Sequence, residues 1–186
     1  MSKKIVSIAQ TVCMIIMICF LMYALYLRFI LNEPPAILGY SVADVPTESM
    51  YPTIKPGSII IVKAIDQTNK EIEHGDIVVF HFEEGFYCKR VIGCPNDAIY
   101  INQGVHVNGE LYEEDYLSPG VTTNSLRLAF DVPDDSYFLM GDNRNNSSDS
   151  RVWANPYISY DKIVGTVKYI FYIPIISPLI SELANR

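Results

Sequence analysis

The sequence predicts a mainly β protein, an antiparallel β-sheet or barrel-like body behind one N-terminal transmembrane helix. Three observations lead there. Residues 5–27 hold no charged side chain. From about residue 37 the chain breaks into short β-branched runs separated by turn residues. Strong helical periodicity is absent outside the N-terminal run.

The 23 residues from Ile5 to Leu27 make a helix of roughly 34 Å at ~1.5 Å per residue, enough for a hydrocarbon core of about 30 Å. A secretory leader has a shorter apolar core of ~7–15 residues. The small-x-small pattern Ser41-Val42-Ala43 lies far beyond Leu27, so the run reads as a retained anchor. Lys3 and Lys4 precede it, which favours a cytoplasmic N-terminus; Arg28 at the other end weighs against that. The expected organisation is residues 1–4 inside the cell, 5–31 in the lipid bilayer of the cell membrane, and a linker at 32–36 broken by Pro34-Pro35. An extracytoplasmic body then occupies 37–172. The tail, 173–186, is interrupted by Pro174 and Pro178 and either packs on the body or touches the membrane surface.

Residues 33–186 carry 11 basic and 21 acidic side chains, a net charge of −10. So acidic a body is a poor match for nucleic acid. Within it the strand candidates are Ser58–Val62 after the turn Lys55-Pro56-Gly57, Asp76–Phe82 after Gly75, and Phe86–Gly93. A hairpin is expected over 99–112, with Asn108-Gly109 as a turn. Tyr137–Met140 and Val164–Tyr172 complete the set.

Cys13 and Cys19 fall in the apolar run. Cys88 and Cys94 flank an extended stretch of about 20 Å, too long for a disulfide. These cysteines and the three histidines lack metal-ligand spacing, so no metal and no cofactor are expected. His74 and His106 read as surface positions and His81 as a strand residue, none with a partner suggested by the sequence.

Chemistry is concentrated in three stretches. In Pro46-Thr47-Glu48-Ser49-Met50-Tyr51-Pro52-Thr53 two prolines restrict the loop that holds a serine. Alone that is more often structural, because a serine needs a base. Lys89 lies in a strand next to Arg90, and one of these two cations must face the side shared by Tyr87, Val91 and Gly93. Lys89 has that parity. A lysine among apolar groups loses its proton more easily and becomes a base, although such a residue also guards strand edges. Gly141–Arg151 holds no apolar side chain. Asp142, Arg144, Asp149 and Arg151 offer ion pairs that would make the loop rigid, and a rigid loop places hydroxyls such as Ser147 near a base.

Together these stretches resemble the bacterial type I signal peptidases of the Ser-Lys kind, peptidase family S26, in their minimal Gram-positive-like form. Four boxes occur in order: Ser49-Met50-Tyr51-Pro52-Thr53, Gly75-Asp76-Ile77-Val78-Val79, Lys89-Arg90-Val91-Ile92-Gly93 and Gly141 to Arg151. With the N-terminal run they cover residues 1 to about 172. The resemblance implies a membrane-anchored serine endopeptidase that removes signal peptides from exported pre-proteins after small residues. It implies Ser49 as nucleophile and Lys89 as general base. The Ser49 N–H and the Thr47 hydroxyl would form the oxyanion hole, and Ser147 would hydrogen-bond and orient the Lys89 amine. Met50 would pack near the lysine, while Asp142, Asp149 and Arg151 would be structural. The partners implied are signal peptides and the bilayer.

Two departures stand out. Glu48 occupies a position where a small residue is usual, and Cys94-Pro95-Asn96-Asp97 replaces the usual apolar-Pro-Gly-Asp turn. Asn96 tolerates the left-handed conformation that the turn requires. Only 51 residues separate Lys89 from Gly141, so a large extra β domain is not expected. The competing readings are a soluble self-cleaving Ser-Lys repressor-type protease, which the anchor and acidic body disfavour, and a catalytically inactive membrane-tethered β domain that scaffolds envelope or pilus assembly. A eukaryote-type signalase would carry His at the position of Lys89.

Overall fold

A computed structural model describes residues 3–30, 36–37, 39–65 and 72–174, and within the N-terminal helix the side chains of residues 10–23 and 26. Most of the expected linker, and the tail beyond residue 174, lie outside the described residues. The chain divides into two compact units, Met1–Val42 and Ala43–Arg186.

The first unit contains helix α1 (Lys3–Ile30). Its described side chains are all exposed. Among the described residues no helix is long and apolar enough to cross a membrane. Strand β1 (Ala36–Ile37) pairs antiparallel with the start of β2 (Tyr40–Val45), Ile37 opposite Tyr40.

The second unit is built on strands β3 (Ser58–Ala64), β4 (Ile77–Phe82), β5 (Gly85–Gly93), β6 (Ala98–Ile101), β7 (Val105–Val107), β8 (Glu110–Leu111), β9 (Ala129–Asp131), β10 (Ser136–Met140), β11 (Tyr157–Ser159) and β12 (Ile163–Phe171). The main sheet runs β2-β3-β12-β4-β5-β10-β11, and a smaller one runs β8-β7-β6-β9. Their described ladders are antiparallel, as expected. The strands form two antiparallel sheets, and among the described residues neither order closes on itself. The hairpin expected over 99–112 is β6-β7-β8, and Asn108 and Gly109 both take positive φ, 54° and 87°. Two consecutive left-handed residues match the right-handed twist of the strands they join. Strands β2, β9 and β11 carry no comparable sequence signal; the last two are three residues long.

Burial explains why β4 and β10 read as nearly continuous apolar runs. Both faces of the main sheet are covered at its central strands. Val78 and Phe80 of β4 join Val91, Leu139 and Tyr137 in one cluster. Their neighbours Ile77 and Val79 join Val45, Met50, Ile54 and Ile60 in a second. Ile92, Phe138 and Met140 pack with Ile99, Ile101 and Phe130 of the smaller sheet in a third. A strand buried on both faces has no polar side to alternate with. The same covering buries Lys89, as its parity implies, and extends the reading to Arg90. Only one of them was required to point inward, yet both are buried, on opposite faces of β5.

Candidate active site

Ser49 stands on a tight turn between β2 and β3. The Tyr51 N–H donates to Glu48 O at 3.0 Å and the Ile54 N–H to Met50 O at 2.8 Å, so the segment coils back on itself. Met50 is fully buried among Val45, Ile54 and Ile60 and pins the turn from below. The Asn143 N–H donates to Ser49 O at 3.0 Å, and the Asn143 side chain to Glu48 O at 3.1 Å. The serine is therefore clamped from the polar loop that begins at Gly141.

Lys89 comes from the middle of β5, opposite Val78 of β4. It is 3% exposed. Its Nζ lies 2.8 Å from Ser49 Oγ and donates to Cys88 O at 3.1 Å. Two residues 40 positions apart in sequence thus meet at hydrogen-bond distance. Burial pushes the Lys89 amine below the ordinary lysine value. Cys88, Asp149 and Asp142 oppose that shift. The Cys88 thiol, however, is itself pushed up to about 12 by burial. It is neutral near pH 7, so its pull on an ammonium is absent there and burial dominates.

Thr47 is exposed, with its hydroxyl 3.4 Å from Ser49 Oγ. Ser147 differs from expectation. Its Oγ is buried and makes no hydrogen bond among the described residues, so the bond to Lys89 is not formed; the Cys88 carbonyl holds the amine instead. Ser147 packs against the Cα of Gly141, where any Cβ would collide with Ser147 Oγ and with Ser49 O. Gly141→Ala is therefore expected to push the nucleophile out of place and lower kcat by about a hundredfold, a loss typical of an ångström-scale misplacement. Cleavage rates compared at temperatures where circular dichroism finds both proteins folded provide the check.

The polar loop is rigid, in part through a pair within it and in part through partners from outside it. Asp149 and Arg151 do pair, at 2.8 Å, and Asp149 also accepts the Gly141 N–H at 3.0 Å. Asp142 instead forms a two-pronged ion pair with Arg90, at 2.8 and 2.6 Å, and accepts the Thr53 hydroxyl at 2.5 Å. Arg144 pairs with Glu114 at 2.6 Å and donates to Tyr116 and Thr123. Glu114, Tyr116 and Thr123 had no signal as part of this assembly, and the box that ends at Thr53 did not reveal its partner, because these partners are far away in the chain.

A cleft of 460 Å³ opens beside the pair. Its long walls are the segments 43–47 and 85–89, and Ala43, Val45, Ile60, Val79 and Phe86 make it largely apolar. His81 is exposed and packs on Phe86, with 4.3 Å between ring centres. His74, read as a bare surface residue, instead contacts Asp97 at 2.6 Å. All four cysteines are free.

The family described as signal peptidase, peptidase S26, matches residues 8–172. The chain is similar to a probable signal peptidase I-2 of Synechocystis sp., 35% identical over 133 residues, covering 65% of this chain and 58% of that one. It is also similar to signal peptidase I T of Bacillus subtilis (strain 168), 35% identical over 160 residues, covering 80% and 78%. A crystal structure of a signal peptidase I from Enterococcus faecalis V583 aligns with a TM-score of 0.46 at 24% identity, over 53% of this chain and 98% of that one.

Proposed function

The chain belongs to the signal peptidase family, peptidase S26, and from that premise we propose that it cleaves N-terminal signal peptides from exported pre-proteins with Ser49 as nucleophile and Lys89 as general base. The observation that carries this reading is the 2.8 Å approach of a buried lysine amine to a serine hydroxyl at the edge of an apolar cleft. Relatives named signal peptidase I support the substrate class.

The neutral Lys89 amine accepts the Ser49 proton as Oγ attacks the scissile carbonyl carbon. The Cys88 carbonyl holds one Nζ–H and so turns the lone pair toward Ser49. Negative charge develops on the carbonyl oxygen, where the Ser49 N–H and the Thr47 hydroxyl stabilise it. The Lys89 ammonium returns its proton to the departing amine, leaving an acyl-enzyme. Lys89 then takes a proton from water, the hydroxide formed attacks the acyl carbon, and Ser49 Oγ leaves with the proton returned by Lys89, freeing the acid and the neutral amine. An extended substrate fits between the walls 43–47 and 85–89, with small side chains in the cleft.

Residues 1–4 lie in the cytoplasm, the run from Ile5 crosses the membrane once, and the body lies outside. The charge-free stretch 5–27 and the exposed apolar side chains from Val12 to Tyr26 support this topology. The partners are then signal peptides and the bilayer. Incubation of the full chain in detergent with a pre-protein tests the reading. One cut after a small residue is expected, absent in Ser49→Ala. Cleavage that persists in the folded Ser49→Ala protein removes Ser49 from the chemistry.

A further inference from the structure

We propose that His74, Cys94 and Asp97 form a binding site for a divalent cation of the zinc class, sharing no residue with the Ser49–Lys89 pair. One donor atom from each residue lies within 4.8 Å of the others. The three come from two segments that the fold brings together. The loop before β4 is tied to β5 by Gly75 N–H to Val91 O at 2.9 Å and Val91 N–H to Asp76 O at 2.8 Å. The turn after β5 is closed by Asp97 N–H to Cys94 O at 3.1 Å, with Asn96 left-handed at φ 69°.

Asp97 is held in place before any ligand arrives. Its Oδ1 accepts the Asn108 amide at 2.7 Å, and its Oδ2 accepts the Cys94 N–H at 2.7 Å and faces His74 Nε2. Outer partners of this kind fix the orientation of metal ligands. Burial first, then the charges of Asp97, Asp76 and Glu73, push the Cys94 thiol up to about 12, so the thiol keeps its proton until a bound cation displaces it. One sulfur, one nitrogen and one oxygen donor suit zinc or cobalt, whereas calcium and magnesium demand oxygen shells. The exposed side of His74 leaves a fourth position to water.

Binding breaks the Cys94 S–H bond and sends its proton to solvent; the thiolate and His74 Nε2 each give an electron pair to the metal. His74 then carries its proton on Nδ1. Metal–donor bonds of about 2.0–2.3 Å hold ligands farther apart than a hydrogen bond does, so the 2.6 Å His74–Asp97 contact opens. The site staples the loop before β4 to the turn after β5.

Cobalt(II) titrated into the full chain in detergent tests this, because a thiolate ligand gives an intense sulfur-to-cobalt charge-transfer band. We expect that band to saturate at one cobalt per chain, to be displaced by zinc, to vanish in Cys94→Ser and to persist in Cys88→Ser. His74→Gln, at an exposed position, serves if Cys94→Ser misfolds. It is expected to weaken binding by more than the roughly 10- to 100-fold typical of losing an outer partner. Zinc is also expected to raise the Tm of the wild type well above any effect on His74→Gln. No charge-transfer band in the wild type, a band that survives Cys94→Ser, or undiminished binding by His74→Gln overturns the proposal.

Discussion

Lys89→Arg is expected to give a folded protein that cleaves pre-protein at least roughly a thousandfold more slowly than the wild type, the scale of losing an acid–base group. Both side chains are long and cationic, so a residue needed only for its charge would survive the change in part. A base must shed its proton. A buried lysine does so, whereas arginine with a pKa above about 12 effectively does not. The pH profile follows from the same argument. Burial lowers the Lys89 value, and the amine is the working base only when neutral. Activity therefore falls as pH drops through that lowered value, because protonation removes the base. Substantial cleavage by the arginine variant would break the assignment. So would an acid limb that disappears in the triple variant His74→Gln, His81→Gln, His106→Gln.

The same burial is a stability statement. The folded value of Lys89 lies below the unfolded reference of about 10.4. Between the two, the unfolded chain binds the extra proton, so this group's contribution to stability rises with pH across that window. Below the folded value its destabilising effect is fully present; above about 10.4 it is gone. Lys89→Met removes both the base and the buried amine. It is expected to be inactive, more stable than the wild type at neutral pH, and without that rise. Chemical denaturation at a series of pH values reads the difference directly.

What the sequence made legible follows from distance along the chain. Ser58–Val62 and the Asn108-Gly109 turn announce themselves because their signals are local: β-branched residues after Gly57, whose φ is positive, and an Asn-Gly pair. The Ser49–Lys89 pairing is not local. Its two boxes resemble a family motif, but nothing in residues 46–53 points to residue 89. The true partner of Asp142 is hidden for the same reason. The sequence places Arg144 two residues away, whereas folding delivers Arg90, 52 positions upstream. The register of β5 against β10, with Arg90 opposite Met140, brings that guanidinium to the start of the loop. His74 and Asp97 are likewise 23 residues apart and meet only because β4 and β5 lie side by side. Ser147 marks the opposite case. Its box position suggests a bond to the lysine, but its hydroxyl is buried against Gly141 and makes no hydrogen bond among the described residues.

Asp142→Ala is expected to destabilise the protein by about 3–5 kcal/mol, the range for removing one partner of a buried ion pair. Asp142 is 1% exposed and Arg90 8%. The carboxylate takes two N–H donors from Arg90 and the Thr53 hydroxyl. Removing it strands a guanidinium whose remaining contacts are Gly75 O at 2.7 Å, a longer bond to Thr53 at 3.4 Å and the face of Tyr116 at 3.9 Å. Those contacts do not neutralise the charge. Activity is expected to fall as well, because Asp142 anchors the strand end next to Asn143, which clamps Ser49. If the cost is the stranded charge, then Arg90→Met added to Asp142→Ala should recover much of the lost stability, since an apolar side chain needs no counter-ion. Recovery of activity is not expected from that second change, because the Thr53 hydroxyl still lacks its acceptor and the loop its anchor. Urea denaturation of the single and double variants, with cleavage assays beside it, separates the two effects. A double variant no more stable than Asp142→Ala would show that Asp142 acts through the loop and not through Arg90.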